Sequence, residues 1–291
     1  METKDRYQPI GYYYSVGNKV PVLKNYNLDK IPLKRPTGYS HTFDKNQIPI
    51  SEIKGEKYYH PVAITQFGIN EYNKFVHTGK VSHLKNSENI AKWLIKNQDE
   101  KSGQWLYKFD FSVGGMDYTL KKPWPSAMAQ GVALSLLSRV AKYVDNPTSY
   151  IRAAEKALIS LTLPVSKGGL SADFFGHPFY EEYPTQPHSF ALNGFIFTLI
   201  GLYDFAQLHK NDLSNKLFKQ GIDTLLFALP FFDQNPISAY HLGHLTNPCR
   251  KVHLSEKYHK IHIRQLELLN SISPHPTLSF YQELWQSYLS N

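Results

Sequence analysis

Cysteine is almost absent from this chain of 291 residues, since Cys249 is the only one. That excludes both a disulfide framework and a cysteine-based metal site. The first residues lack the continuous apolar segment of a signal peptide, and no apolar run reaches the roughly 20 residues of a membrane-spanning helix. These absences predict a cytoplasmic protein with no membrane span.

Sequence motifs that identify several common enzyme classes are also missing. Neither the glycine pattern of dinucleotide-binding folds nor that of phosphate-binding loops occurs. Ser126 lies outside any nucleophile-elbow pattern, which argues against a serine hydrolase. Four histidines do not reproduce the spacing of a zinc-binding helix, and no carboxylate stands at a matching offset. They are His241, His244, His259 and His262. We therefore predict no metal and no cofactor.

What the chain does contain is positive charge and aromatic residues. Its formal net charge is +8, and it has 20 Tyr and 17 Phe. This balance favours an anionic partner, although a solvated basic surface would give the same charge. Nucleic acid is disfavoured because no motif of a nucleic-acid-binding fold occurs. Tyr and Trp beside Lys and Arg suit an acidic polysaccharide, in which basic groups bind carboxylates.

The hydrophobic pattern changes near residue 59. Residues 1–57 alternate apolar residues with Pro, Gly and Asn, which predicts a strand-like or hairpin-like N-terminal arm. Residues 58–291 then read as one helical domain with a helical period. Helices are predicted from residue 61 and over residues 87–98, 126–144, 149–161, 190–205, 213–226, 255–272 and 278–289, and a strand over 104–112. Apolar helices alternate with amphipathic ones, which predicts an all-α fold of the (α/α) toroid type.

The region around residues 177–205 organises this prediction. Residues 180–183 read YEEY, and prolines at 184 and 187 prevent a helix from continuing through them. The following segment, residues 190–205, is apolar on nearly every side, which is typical of a buried helix. A rigid loop rich in acids and phenols is therefore expected at the start of a buried helix, a placement that catalytic groups favour.

Two residues of that loop suit acid–base chemistry on a carbon acid. Glu182 can accept or donate a proton, and Tyr183 is an acid at neutral pH unless its anion is stabilised. The alternative is a Glu that caps the next helix and a Tyr that packs in the core. Tyr240 and Tyr258 lie in or beside a polar segment, residues 231–254, that would face the same cleft.

Three segments resemble the C-terminal domain of D-glucuronyl C5-epimerases, which convert glucuronate to iduronate in heparosan and heparan sulfate. They are residues 123–131 (PWPSAMAQG), 180–205 (YEEYPTQPHSFALNGFIFTLIGLYDF) and 258–269 (YHKIHIRQLELL). Residues 58–75 (YYHPVAITQFGINEYNKF) resemble a segment that lies upstream of that domain in the family. The resemblance implies a helical toroid, a homodimer and an acidic polysaccharide substrate. It also implies catalysis by Glu182, Tyr183, Tyr240 and Tyr258. Substrate-binding roles are predicted for Tyr59, Trp124, Gln130, Tyr180, Asn193, His244, Arg250 and His262.

The chain departs from this family pattern in two places. Animal members carry a long β-domain before the helical domain, whereas only about fifty residues fill that interval here. In addition, the family pattern Tyr-Asp-Leu-Arg-His reads YHLGH at residues 240–244, so that Gly243 replaces an arginine expected to bind the substrate carboxylate. Arg250 or His244 is predicted to take that role. A uronate lyase or a non-catalytic binding protein for acidic polysaccharide remains the alternative function.

Overall fold

A computed structural model describes residues 41–114 and 116–289 of the chain. Its first elements form a small antiparallel sheet, in which β2 (Pro49–Ile53) pairs with both β1 (His41–Phe43) and β3 (Glu56–Tyr58). The predicted N-terminal arm is therefore seen here as a three-stranded meander over residues 41–58. The part of that prediction that concerns residues 1–40 lies outside the described residues.

Helices make up most of the remaining chain. In the described part they are α1 (Pro61–Thr78), α2 (Val81–Asn97), α3 (Ala127–Val140), α4 (Thr148–Thr162), α5 (Leu192–His209), α6 (Asp212–Phe232), α7 (Gly243–Thr246), α8 (Glu256–Ile272) and α9 (Pro276–Ser287). Two short strand pairs lie between them. These are β4 (Phe111–Ser112) with β5 (Thr119–Leu120), and β6 (Ser171–Phe174) with β7 (His177–Tyr180).

The long helices form pairs with an inner and an outer member. Inner helices α1, α3, α5 and α8 pack side by side, and outer helices α2, α4, α6 and α9 each cover the inner helix that precedes them. Every residue of α3 is buried, as expected for a helix surrounded by others. The outer helices bury one stripe only, as the amphipathic pattern predicts.

Helices α3 and α5 approach each other unusually closely. A Cβ atom added at Gly201 would lie 1.9 Å from the carbonyl oxygen of Gly131, and one added at Gly131 would lie 2.5 Å from the Cα of Thr198. Only glycine fits at both positions. Farther along the same interface, Arg139 of α3 forms a buried ion pair with Asp204 of α5. This closeness fixes α5, whose first residues follow the acidic loop.

Three elements differ most from the predicted ones. Helix α2 begins at Val81, six residues before the predicted start, although no side chain caps it. Helix α6 continues through Pro230 to Phe232, six residues past the predicted end, and the proline, which has no N–H, costs its last turn one hydrogen bond. The strand predicted over residues 104–112 is wrong for most of its length. Only Tyr107, bridged to Trp124, and β4 have the backbone pairing of a strand there.

The two ends of the helix assembly are unequal. At one end the members of each pair are joined by short connections, residues 79–80, 141–147, 210–211 and 273–275. At the other end, long segments lead into the inner helices, residues 98–126, 163–191 and 233–255. The amino termini of α3, α5 and α8, which carry partial positive charge, therefore face these long segments. No helix within the described ranges is both long and apolar enough to cross a bilayer.

Candidate active site

The acidic loop is anchored by backbone hydrogen bonds at its start. Strand β7 delivers the chain to Glu181, whose N–H donates to the carbonyl of Leu170 and whose carbonyl accepts from the N–H of Ala127. The next two residues, Glu182 and Tyr183, are therefore fixed above the amino terminus of α3. The loop ends where α5 begins, as the sequence predicts.

Glu182 is enclosed by the beginning of α5. A Cβ atom at Gly194 would lie 2.3 Å from Oε2 of Glu182, so the carboxyl group occupies the space that a side chain would need. Oε2 is buried and has no hydrogen-bond partner. Burial raises the pKa of Glu182 to about 7. A carboxyl group with such a pKa can exchange a proton in either direction near neutral pH.

Tyr183 and Tyr240 interact with this carboxyl group, and Tyr258 packs on Tyr240. The hydroxyl oxygens of Tyr183 and Tyr240 lie 2.9 Å apart, and the rings of Tyr240 and Tyr258 are 4.1 Å apart between centroids. Burial raises the pKa of both Tyr183 and Tyr240 well above the ordinary value, and the negative charge of Glu182 acts in the same direction. Both phenols therefore stay protonated at neutral pH and can donate hydrogen bonds.

An aromatic wall stands beside Tyr183. Phe111, in β4, stacks on the Tyr183 ring at a centroid distance of 5.5 Å. The Trp124 ring stacks on Phe111 at 5.8 Å and on Tyr107 at 4.0 Å, and its Nε1 donates to the carbonyl of Phe109. The wall thus gives Tyr183 an apolar neighbour on the side of the β4–β5 hairpin. Sugar rings stack on aromatic faces of this kind.

The tip of the hairpin is tied to the segment that carries Tyr240. Nε2 of His241 donates to the carbonyl of Gly114, and Nδ1 of His241 accepts from the N–H of Gly243. Burial lowers the pKa of His241 to about 4, so the neutral ring can keep both bonds near neutral pH. Nε of Arg250 donates to Asp117 at 2.8 Å, which adds an ion pair to the same tip.

Four predicted substrate-binding residues carry a buried polar atom without a hydrogen-bond partner. These atoms are Oδ1 of Asn193, Nδ1 of His244, Nη1 of Arg250 and Nε2 of His262. Asn193 is the second residue of α5, directly before Gly194, and Arg250 joins the hairpin tip. Buried polar atoms are normally satisfied, so such atoms are available to a ligand. Trp124, a fifth predicted residue, belongs to the aromatic wall.

Three other predicted substrate contacts receive structural roles instead. The Tyr180 hydroxyl donates to the carbonyl of Leu217 and the ring is fully buried. Gln130 is also fully buried, and its amide group donates to the carbonyl of Ser126 and accepts from the N–H of Trp105. Tyr59 is exposed and donates to Asp44. These contacts occupy the polar atoms that the prediction reserved for substrate.

The histidines considered for a metal serve other contacts. His259 and His262 both bond through Nδ1 to the hydroxyl of Ser238, at 2.9 and 2.8 Å. Nε2 of His259 donates to the carbonyl of Trp285, and burial lowers the pKa of His262 to about 3. In the described part of the chain, no group of three or more His, Cys, Asp or Glu side chains is placed to hold a metal.

Three residues of the site escaped sequence reasoning. Phe111 faces Tyr183, His253 accepts the N–H of Tyr240 through its carbonyl, and Glu181 bonds the far end of the acidic loop. The alternating pattern of residues 104–112 marked Phe111 as a strand residue, without indicating its neighbour. Glu181 was visible beside Glu182, but nothing in the sequence assigns it a partner eight residues away.

Comparisons with known proteins identify relatives of this chain. Residues 98–287 match the family described as D-glucuronyl C5-epimerase C-terminus. A D-glucuronyl C5-epimerase of Caenorhabditis elegans is 35% identical over 210 residues, which cover 68% of this chain and 34% of that protein. An uncharacterised protein of Methanocaldococcus jannaschii is 26% identical over 220 residues, which cover 69% of this chain and 66% of that protein. The chain thus spans about a third of the nematode relative.

Solved structures share the architecture. A UGL variant with dGlcA-Glc-Rha-Glc aligns with a TM-score of 0.52 at 11% identity, over 81% of this chain and 62% of that one. The unsaturated glucuronyl hydrolase of Bacillus sp. GL1, described as responsible for the degradation of glycosaminoglycan, aligns with a TM-score of 0.51 at 12% identity. That alignment covers 79% of this chain and 61% of the hydrolase chain. At these identities the likeness concerns the fold alone, and it confirms the predicted (α/α) toroid.

Proposed function

Because the chain belongs to the D-glucuronyl C5-epimerase family, we propose that it converts D-glucuronate to L-iduronate within an acidic polysaccharide by inverting C5. The observation that carries this proposal is the cluster of one carboxyl group and three phenols. Glu182 and Tyr183 come from the acidic loop, whereas Tyr240 and Tyr258 come from a segment more than fifty residues later. A carboxyl group and phenols that lie close together can remove a proton from a carbon atom and return one to it.

The reaction begins with a very weak acid. The C5 proton of glucuronate lies next to the carboxylate carbon, and its removal places a second negative charge on the carboxylate oxygens. Hydrogen-bond donors or cations aimed at those oxygens lower the barrier, and a base must face the proton. Reprotonation from the opposite side of the ring then gives iduronate.

We assign Glu182 and Tyr258 to opposite faces of C5. The pKa of Glu182, raised by burial to about 7, suits a group that accepts a proton in one direction and returns it in the other. Tyr183 and Tyr240 remain protonated, since burial raises the pKa of each, and in this assignment they donate to the oxygens that gain charge. Their hydrogen bond to each other gives way to bonds to substrate.

A positive charge for the substrate carboxylate is assigned to Arg250. Its side chain is 4% exposed, its Nε binds Asp117, and its Nη1 is free of a hydrogen-bond partner. A Cβ atom at position 243 would lie 3.2 Å from Nδ1 and 3.3 Å from Cε1 of His241, so a side chain there would require the His241 ring to shift by a few tenths of an ångström. In this proposal Arg250 supplies the charge that the family arginine would carry at position 243.

The substrate class in this proposal is a heparosan-like or heparan-sulfate-like chain. Exposed lysines on the long segments that lead into the inner helices would attract such a polyanion over a distance of about a Debye length. They are Lys108, Lys121, Lys122 and Lys251, and Lys257 in the first turn of α8 adds a further positive charge. We further propose that residues 58–291 form the catalytic domain and that the protein acts as a homodimer.

Incubation of heparosan, or of its N-sulfated form, in deuterated water tests the proposal. The expected result is deuterium at C5 and new iduronate signals in the NMR spectrum. Unsaturated uronate without exchange would identify a lyase, which shares the first step but expels the C4 oxygen. Binding without exchange or cleavage would identify a non-catalytic polysaccharide-binding protein.

A further inference from the structure

Glu181 differs from its neighbour Glu182 in having its carboxylate fully committed to hydrogen bonds. The side chain is 0% exposed. Its oxygens accept from the N–H and hydroxyl of Ser189, at 3.1 and 2.7 Å, and from the N–H of Phe190 at 3.2 Å. Three donors around one carboxylate favour its ionised form and close the acidic loop from residue 181 to residue 190.

The closed loop is joined in turn to the segment that carries Tyr240. The carbonyl of Ser189 accepts from the N–H of Leu242, and the N–H of Leu192 donates to the carbonyl of Tyr240. The Ser189 hydroxyl also lies 3.3 Å from the carbonyl of Tyr183. Residues 189–192 thus contact the Glu181 carboxylate on one side and the Tyr240 segment on the other.

We propose that Glu181 is a positioning residue, which holds the acidic loop against the Tyr240 segment so that the Tyr183 and Tyr240 hydroxyls meet. This proposal rests on the proposed epimerase activity for its kinetic consequence. Glu181 touches neither the phenols nor the space beside Oε2 of Glu182, and it acts through the backbone of Ser189. A misplacement of about 1 Å can cost on the order of 10²-fold in rate.

Few charged groups face the Glu181 carboxylate. Glu182 is adjacent in the chain, and Nδ1 of His188 lies 3.6 Å from Oε1 of Glu181. Burial lowers the pKa of His188, so this ring is neutral near neutral pH. Burial raises the pKa of Glu181, whereas its three donors act in the opposite direction. The charge of Glu182 acts on Glu181 in the same direction as burial. Burial is also what raises the pKa of Glu182, so a loop released by the loss of Glu181 would expose Glu182 and lower its pKa towards the ordinary value.

Glu181→Gln tests the proposal. The amide keeps the shape of the carboxylate, but its NH₂ group would face the Ser189 and Phe190 donors that now bind a carboxylate oxygen. A milder variant, Ser189→Ala, removes only the hydroxyl donor. The matched control is Glu71→Gln, because Glu71 is likewise buried and bound by three side chains, those of Lys74, His83 and Asn86. Glu71 lies in α1 and takes no part in the site.

Two measurements are made on each variant of the full chain. The first is the kcat and KM of C5 deuterium exchange on N-sulfated heparosan. We expect a kcat on the order of 10²-fold lower in Glu181→Gln, a smaller loss in Ser189→Ala, KM within about twofold and no change in Glu71→Gln. The second is the titration of the Glu182 carboxyl carbon by ¹³C NMR, which needs no activity. Its pKa should fall in Glu181→Gln only.

The outcomes separate the two proposals. If the native protein shows no exchange but the Glu182 titration still moves in Glu181→Gln alone, the epimerase proposal fails and the link between the two carboxyl groups stands. If exchange is present and neither kcat nor the titration changes, the role of Glu181 is overturned. Should Glu181→Gln not fold, an unchanged kcat in Ser189→Ala overturns that role as well.

Discussion

The hydroxyl groups of Tyr183 and Tyr240 are 2.9 Å apart although 57 positions separate the two residues in the chain. The contact joins the acidic loop before α5 to the irregular segment before α8. Both phenols are buried, and burial raises the pKa of each, so neither proton is lost at neutral pH. In the proposed reaction the pair is a preformed set of donors for the negative charge that develops on the substrate carboxylate.

Tyr183→Phe and Tyr240→Phe should each lower the rate of C5 exchange by roughly 10²–10³-fold, because each removes one donor to the charge that develops. The double variant should be little worse than either single one, since the two hydroxyls act as a unit. Tyr150→Phe, which truncates a buried phenol in α4, is the control. Fully multiplicative losses in the double variant would contradict the pairing.

Glu182→Gln should reduce exchange by roughly 10²–10⁴-fold while the far-ultraviolet circular dichroism stays unchanged. In the native protein the group must be deprotonated to act as a base. With a pKa raised by burial to about 7, the initial rate should therefore rise as the pH increases through that value. A rate independent of pH between 5 and 9 would exclude Glu182 as the base.

The same carboxyl group should make stability depend on pH. Its pKa is about 7 in the folded protein and close to the ordinary value of 4.5 when unfolded, so the folded state binds more protons between these values. Stability should fall as the pH rises from 4.5 to 7, by on the order of 3 kcal/mol. Glu182→Gln should flatten this dependence in urea unfolding. A native profile that rises over the same interval would refute the assignment.

Gly194→Ala should abolish exchange almost as fully as loss of Glu182. The added methyl group would stand 2.3 Å from Oε2 of Glu182 and would push the carboxyl group out of its place. Thr198→Val, one turn farther along α5, keeps the helix shape and removes only a bond to the carbonyl of Gly194. Thr198→Val should retain most of the exchange activity. Equal losses in both variants would contradict the prediction, because the loss would then come from any change in α5 and not from displacement of Glu182.

Polysaccharide binding should weaken as the salt concentration rises, since exposed charges are screened. Replacing three lysines of the long segments by Gln should cost roughly 0.2–1 kcal/mol for each charge removed. A triple variant on the outer helices, with the same change in net charge, should bind like the native protein. The lysines on the long segments are Lys108, Lys121 and Lys122. Those on the outer helices are Lys156, Lys216 and Lys219. Equal losses of binding affinity in the two triple variants, measured by titration calorimetry, would mean that the net charge of the protein, and not the position of the lysines, determines binding.

Much of the helical architecture was predictable because it depends on local pattern. The apolar run of residues 190–205 identified α5, and its neighbour α3 was equally clear. Each is buried on nearly every side, and a helix that is apolar all round is recognisable from its own sequence. The loop between the two prolines was also visible, since proline restricts the backbone whatever surrounds it.

The remainder depends on partners that are remote in sequence. Phe111 reaches Tyr183 through strands of two residues each, which leave almost no periodic signal. Arg250 meets Asp117 across 133 positions, and the sequence supplies no register between them. Gln130 and Tyr180 were expected to face substrate. Their side chains instead bind backbone groups, which no side-chain pattern in the sequence reveals.

The inequality between the two ends of the toroid has a practical use. Since the long segments gather at one end, the short turns at the other can be altered at a distance from the candidate site. The turn of residues 210–211 joins α5 to α6 and holds Lys210 in a left-handed conformation at the carboxyl end of α5. New chain termini, a fluorescent label or a surface tether placed in this turn would stand at the end of the toroid opposite the long segments and would leave the candidate site unobstructed.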